Sequence, residues 1–267
     1  MNPTARQDPI HRHPFAFSAL VLASVGTLEL LMKVTIVDLL SLRLSVATLG
    51  IINGVVLSLL GAVTVGWLGL WRQLGRIGLP ARLRSLLWFL PFVIYGALPL
   101  TAGPDVTAGK AVALIAFGML TAFWKLVVLA LVLFAWLPRG PQLATAMTAG
   151  LWAGMHLAFG ILTGAAALPT LVLAVSYLFL SFAFIAVRLR TGLLWPLVPS
   201  YGLLLATAGA VQGDEASNLA TSVADLQPAL VISVLLAVFG LVAWPGPGQR
   251  PAKTAPAEDA DRTTSPL

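Results

Sequence analysis

The hydrophobic positions of this chain gather into long runs, separated by short stretches that carry the polar residues and many of the glycines and prolines. About 20 consecutive apolar residues are enough to cross a bilayer as an α-helix. Eight such spans lie near residues 15–37, 45–71, 86–103, 111–137, 141–165, 168–187, 192–212 and 228–246. The third span contains Pro91 and Pro99, which predict a kink or a tilt there. The pattern therefore predicts an all-α polytopic membrane protein with about eight transmembrane helices.

The two ends of the chain differ from the spans in composition. Residues 1–14 are mostly polar, and residues 247–267 are rich in proline and charge. Such segments do not bury enough apolar surface to fold on their own. We therefore expect disordered cytoplasmic tails at 1–14 and 247–267, on either side of a single transmembrane helical domain over 15–246.

Composition supports the membrane assignment and narrows the chemistry. Of the 267 residues, 58% are hydrophobic and 10% are charged, against roughly 25% charged in a typical soluble domain. The chain has no cysteine, which excludes thiolate catalysis, disulfides and Cys-based metal sites. His156 is the only histidine within a predicted span, and one histidine does not make a metal site. We expect a lipid bilayer as partner, and no cofactor and no metal.

The basic residues predict the orientation. With the N-terminus in the cytoplasm, that side collects 12 of the 16 lysines and arginines: Arg6, Arg12, Arg72, Arg76, Arg82, Arg84, Arg139, Arg188, Arg190, Arg250, Lys253 and Arg262. The positive-inside rule then places both termini in the cytoplasm. Because these residues occupy short loops between spans, we do not expect nucleic acid as a partner. The composition, rich in Ala, Leu, Gly and Arg, is typical of the cytoplasmic (inner) membrane of a bacterium.

Span five carries a stripe of small residues. Ala146, Gly150, Gly154 and Ala158 recur every four residues, a pattern that lets helix backbones approach closely in lipid. Two interpretations fit it: a central packing helix, which we favour, and a specific dimer interface.

Four ionisable residues stand out inside the predicted spans: Glu29, Lys33, Lys125 and His156. Lys33, one turn beyond Glu29, either pairs with that carboxylate or extends to the outer interface, which we favour. Lys125 lies near the middle of its span, where a cation costs roughly 2.5–3.5 kcal/mol on insertion scales. A lysine side chain is long enough to reach the depth of Glu29, so we expect a Glu29–Lys125 ion pair with His156 nearby. The pair could simply fix helix packing, or it could act as a proton relay or a substrate-binding group.

Residues 111–212 resemble the CPBP intramembrane proteases, a family that includes the CAAX prenyl endopeptidases and bacteriocin-processing relatives. That family has Glu-Glu-x-x-x-Arg on its fourth span, Phe-x-x-x-His on its fifth and His-x-x-x-Asn or Asp on its seventh. Here Trp152-x-x-x-His156 stands at the second motif, and RLRTGLLWPLVPSYG resembles the stretch that leads into the third. The alignment then puts Tyr201 at the position of the second histidine.

The same resemblance places the paired glutamates near Trp124-Lys125, or near Phe134-Ala135 in a second alignment. It implies candidate catalytic positions at His156, Lys125 and Tyr201. It also implies a binding cavity around Glu29, Trp124, Trp152 and Ser200.

The decisive departure from the family is the absence of carboxylates. No Asp or Glu occurs between Ala111 and Gly213, so spans four to seven hold no carboxylate that could activate water. Lysine and tyrosine at their ordinary pKa values are protonated near neutrality and are not bases there. We therefore interpret the chain as a degenerate, inactive member that lacks the catalytic glutamates and the second histidine.

Several functions stay open at this point. The first is a pseudoprotease that binds a membrane peptide or a partner membrane protein in the former substrate cavity. The second is an altered endopeptidase that uses Lys125 and His156. The third is a small proton-coupled transporter, with Glu29, Lys125 and His156 as the relay. The fourth is a purely structural membrane subunit.

Overall fold

A computed structural model of the protein describes residues 3–33, 46–71, 83–103, 106–212 and 223–245. Within these ranges there is no strand, and the regular structure is helical, as the hydrophobic pattern predicted. The α-helices there are α1 (Pro3–Arg12), α2 (Pro14–Lys33), α3 (Val46–Leu68), α4 (Leu90–Ala97), α5 (Ala108–Trp136), α6 (Pro141–Leu162), α7 (Ala167–Thr191), α8 (Leu197–Gln212) and α9 (Val223–Ala243). Short 3-10 segments occupy Leu83–Phe89, Leu98–Ala102 and Leu137–Arg139.

Six of these helices, α2, α3, α5, α6, α7 and α9, are long and apolar enough to cross a membrane. The third and seventh predicted spans appear as shorter apolar helices, Ser85–Ala97 and Leu197–Ala208. In the third span, Pro91 lies in the first turn of α4, and a 3-10 segment precedes that helix. Proline is tolerated in a first turn, where its missing N–H is not needed, but not in the middle of a helix.

Helix α5 lies at the centre of the bundle. In its apolar window 72% of the residues are buried, against 17% for α2 at the periphery. It packs against α2, α3, α6 and α8, while α7 packs between α6 and α9. The lysine that the sequence analysis singled out therefore stands on the most enclosed helix of the described part of the chain.

The α5–α8 contact depends on two glycines. A Cβ added at Gly118 would collide with the carbonyl oxygen of Gly202, and a Cβ added at Gly202 would lie 2.7 Å from the sulfur of Met119. Close backbone approach of this kind is the usual role of small residues between membrane helices. It brings the face of α8 that carries Tyr201 towards α5.

The small-residue stripe of α6 faces away from the bundle. Ala146, Gly150, Gly154 and Ala158 are exposed, and no described atom lies within 4 Å of a Cβ built at Gly150 or Gly154. The favoured interpretation of this stripe as an internal packing surface was wrong. Helix α6 packs into the bundle through its other face, which includes Thr148 and Trp152.

The N-terminal segment also differs from the prediction of a disordered tail over 1–14. Residues Pro3–Arg12 form α1, in which Ile10 is 5% exposed and Gln7 donates a hydrogen bond to the carbonyl of Leu68 at 3.2 Å. The guanidinium of Arg139 donates to the carbonyl oxygens of His11 (2.9 Å) and Arg12 (3.5 Å) at the C-terminus of α1. These contacts join α1 to the ends of α3 and α5, which composition alone did not indicate.

Some sequence predictions concern residues outside the described ranges. They include the C-terminal tail 247–267 and part of the charge pattern behind the predicted orientation, namely Arg72, Arg76, Arg82, Arg250, Lys253 and Arg262.

Candidate functional site

Lys125 lies in the buried half of α5, and its side chain points towards α7. The ammonium donates a hydrogen bond to the hydroxyl of Tyr177 at 3.0 Å. It also lies 4.8 Å from the centroid of the Tyr177 ring and 5.6 Å from that of Trp124. Aromatic faces attract a cation, most strongly where water is scarce. The lysine is therefore held mainly by aromatic side chains.

His156 reaches the same place from α6. Its ring stacks on that of Tyr177, with centroids 3.7 Å apart and an interplanar angle of 10°. Trp152, one turn earlier on α6, meets the histidine edge-on at 5.2 Å. The Nε2 atom of His156 is buried and has no hydrogen-bond partner among the described residues. Tyr177 thus lies between the lysine and the histidine.

Tyr201 reaches the same place from α8. Its side chain is 3% exposed and its ring lies 4.8 Å from that of Phe184 on α7. It is close enough to Lys125 for an electrostatic interaction. The close contact between Gly118 and Gly202 holds Tyr201 near Lys125, because this turn of α8 packs directly on α5.

Glu29, on α2, is the acidic partner that the sequence predicted for Lys125. The two groups interact electrostatically, but they make no ion-pair contact in the described part of the chain. Asn53, on α3, is a polar neighbour of the Glu29 carboxyl group. The carboxylate thus balances the lysine charge from a distance, and the direct partner of the lysine is Tyr177.

A small cavity lies on the α7–α8 side of Lys125. Its polar lining comes from Lys125, Tyr177, Ser181 and Tyr201. The rest of the wall is apolar or aromatic and consists of Leu126, Leu129, Trp152, Leu180 and Phe184. Its volume is about 10 Å³, which is room for a single water-sized group. Glu29 is not part of this wall.

Besides Glu29, two other residues predicted for the cavity do not line it. Ser200 is buried and donates its hydroxyl proton to the carbonyl of Pro196 at 2.7 Å, so it is occupied within its own helix. Trp124 is 1% exposed and packs beside Lys125, with its ring 6.3 Å from that of Trp152, but it does not line the cavity. It forms part of the aromatic surroundings of Lys125.

Two polar residues near Lys125 and Glu29 were not identified from the sequence, namely Tyr177 and Asn53. Each is a polar residue within an apolar run, in LAVSYLFLSF and LGIINGVVLS. A buried hydroxyl or amide needs a hydrogen-bond partner, just as a buried charge does. A tyrosine or an asparagine within an apolar run therefore indicates a buried polar contact, and this pattern could have identified both residues.

The arrangement has little that resembles hydrolytic machinery. Among the described residues no three His, Asp or Glu side chains lie together as they would around a metal ion. Lys125 bonds to Tyr177 rather than to His156, so the two do not form a hydrogen-bonded acid–base pair. The cluster presents a cation and phenol hydroxyls to a small, largely apolar cavity.

Comparison of the chain with protein-family models, with curated proteins and with solved structures finds no match.

Proposed function

We propose that this protein is a non-catalytic integral membrane protein that binds a membrane peptide or a transmembrane segment of a partner protein. The binding site is the chamber around Lys125, which comprises the cavity described above and the adjoining side chain of His156. The observation that carries the proposal is the convergence of Lys125, His156 and Tyr201 from three helices on one cluster. The CPBP resemblance assigns the former active site to those three positions. The missing carboxylates on residues 111–213 argue against retained peptide hydrolysis.

The proposal includes a topology and a location. We place eight transmembrane segments in the bilayer, counting the two short helices around α4 and α8, with both termini in the cytoplasm. The excess of arginine on one side supports this orientation. A bacterial inner membrane is the location that the composition favours.

Binding requires the helices around the chamber to separate. The cavity takes one water-sized group, whereas a peptide needs far more space.

The test is peptide binding to the full-length protein in lipid nanodiscs. Fluorescein-labelled synthetic single-span peptides of varied sequence form the probe panel, and fluorescence anisotropy measures binding. We expect at least one peptide to bind saturably and Lys125→Met to weaken that binding at least tenfold. Lys110→Met, at the other end of α5, is the matched control and leaves it unchanged. No saturable binding, or equal binding by Lys125→Met, overturns the proposal.

A proton-coupled carrier is the second candidate, because one observation favours it. Lys125 donates a hydrogen bond to Tyr177, Tyr177 stacks on His156, and Glu29 interacts electrostatically with Lys125, so polar groups of α2, α5, α7 and α6 lie in series. In liposomes with an imposed pH gradient, this function predicts proton flux that Glu29→Gln abolishes. A flux equal to that of protein-free liposomes contradicts it.

A further inference from the structure

The cavity beside Lys125 has more hydrogen-bond donors than acceptors. An ammonium has three N–H donors, and Lys125 gives one to the hydroxyl of Tyr177. No acceptor among the described residues takes the other two. Because the oxygen of Tyr177 accepts from the lysine, its own proton is directed elsewhere. Tyr201, from α8, also lines the cavity and is 3% exposed.

The acceptors around the cavity are few. Ser181 donates its hydroxyl proton to the carbonyl of Tyr177 at 2.6 Å, which leaves only its oxygen lone pairs towards the cavity. The remaining wall is apolar or aromatic. The carboxyl group of Glu29 interacts electrostatically with Lys125 but does not line the cavity.

A donor-rich cavity with a positive charge selects an acceptor that carries a negative charge. Hydrogen bonds to an ionised acceptor are roughly twice as strong as neutral ones, and more so where water is excluded. With about 10 Å³ of space, the cavity takes one oxygen atom of such a group rather than the whole of a larger anion. Water accepts as many hydrogen bonds as one carboxylate oxygen, but it carries no charge and its two protons need acceptors, which are few around this cavity.

We infer that the cavity between Lys125, Tyr177 and Tyr201 receives one oxygen of a carboxylate, supplied by the bound membrane peptide or by a small free carboxylate. The peptide source rests on the proposed function, and the free source does not. Lys125 supplies the charge and one or two hydrogen bonds, and Tyr201, from α8, supplies a further hydrogen bond.

The first arm of the test uses formate as the probe and the full-length protein in nanodiscs. Thermal stability is followed against formate concentration at constant ionic strength, with formamide as the uncharged analogue. We expect formate to raise Tm and formamide to leave it unchanged. Tyr201→Phe, which removes one hydroxyl and keeps the ring, should weaken the apparent formate affinity about tenfold, the loss of one charge-assisted hydrogen bond. Tyr95→Phe, on α4, is the matched control and should behave as wild type.

The second arm compares each peptide that binds in two forms, with a C-terminal carboxylate and with a C-terminal amide. Roughly tenfold tighter binding of the acid, lost in Tyr201→Phe, identifies the peptide as the source of the carboxylate. Formate stabilisation that depends on Tyr201, with acid and amide bound equally, supports the inference with a free carboxylate as the ligand. A structure of wild-type protein soaked in bromide adds a readout that needs no variant, with the expected anomalous peak between Lys125 and Tyr201.

The two proposals fail in different ways. If formate and formamide act alike, acid and amide bind alike and no bromide occupies the cavity, the inference is overturned. Saturable peptide binding that depends on Lys125 would still support the proposed function in that case. If no peptide binds while formate acts through Tyr201, the inference stands and the proposed function falls.

Discussion

Lys125 shows how a membrane interior can hold a cation without a contact ion pair. On insertion scales a lysine at mid-membrane costs roughly 2.5–3.5 kcal/mol. A hydrogen bond to a charged group contributes about 1.5–3 kcal/mol, and a desolvated cation–π contact contributes about 2 kcal/mol. The bond to Tyr177 and the two aromatic faces are therefore of the size needed to offset the cost. The distant carboxylate of Glu29 adds to them.

Replacing Tyr177 by phenylalanine tests this account of the lysine. The variant keeps the stack on His156 and removes only the hydroxyl that accepts from Lys125. We expect the free energy of unfolding to fall by about 1–3 kcal/mol, because a buried charged donor loses its partner. Reversible unfolding in mixed micelles measures the change. Tyr95→Phe is the matched control, and an equal change in both variants would mean that the Lys125–Tyr177 bond contributes nothing.

At this scale the sequence identified the unusual residues but not their partners. Glu29, Lys125 and His156 are recognisable because charge is rare within apolar runs, and the structure brings all three to one cluster. The resemblance implied a place in the cavity for Ser200, the neighbour of Tyr201 in the sequence. Adjacent residues on a helix point about 100° apart at 3.6 residues per turn, so Ser200 faces another direction. The bond of Lys125 to Tyr177 depends on how α5 and α7 are oriented, which one sequence does not specify.

Among the helices, the crossing of α5 and α8 controls the shape of the site. Gly118 and Gly202 let the two backbones touch, and this contact determines the position of the neighbouring Tyr201. The motif in the sequence that drew attention was instead the stripe on α6, which faces outwards. A small-residue pattern identifies a helix face that can be approached closely, but it does not identify the neighbour.

Alanine at Gly118 should separate α5 from α8. The added Cβ would collide with the backbone of Gly202, which cannot move aside as a flexible side chain could. We expect Gly118→Ala to lower the free energy of unfolding by about 1–3 kcal/mol. The matched control is Gly154→Ala, where the Cβ meets open space and the change should be neutral or slightly stabilising. Equal stability of the two variants would show that the close crossing is not required.

The N-terminal helix should depend on Arg139. Its guanidinium caps the C-terminus of α1 through two carbonyl oxygens and lies 5.6 Å from the ring of Trp136. We expect Arg139→Gln to loosen α1 and to speed tryptic cleavage after Arg12 about tenfold, since proteases attack segments that open locally. Mass spectrometry of a limited digest measures the rate. Unchanged cleavage would mean that α1 stays docked without the arginine.

At the scale of the whole molecule, the helical membrane architecture was the most predictable property. Long apolar runs leave few alternatives, because every backbone N–H and C=O in lipid must be paired within the protein. Helix lengths were less predictable. Pro91 shortens the helix of the third run, and the turn at 191–196 shortens that of the seventh. The contacts of α1 could not be predicted from composition.

The proposed orientation can be measured directly in this cysteine-free chain. Gln142, in the first turn of α6, and Ala166, beyond the C-terminus of α6, are both exposed. In intact cells of a bacterial expression host, we expect an impermeant maleimide to label Ala166→Cys from outside and to label Gln142→Cys only after the cells are broken open. The excess of arginine on the Gln142 side is the physical reason. The opposite labelling pattern would invert the topology.

The central claim is that the chamber around Lys125 binds a peptide without cutting it, and the most direct measurement is the mass spectrum of a bound peptide over time. A panel peptide at saturation with the wild-type protein is sampled over hours, beside a protein-free control. We predict the same mass of intact peptide in both samples. Fragments that appear with the wild-type protein and disappear in His156→Ala would contradict the account and identify a working protease.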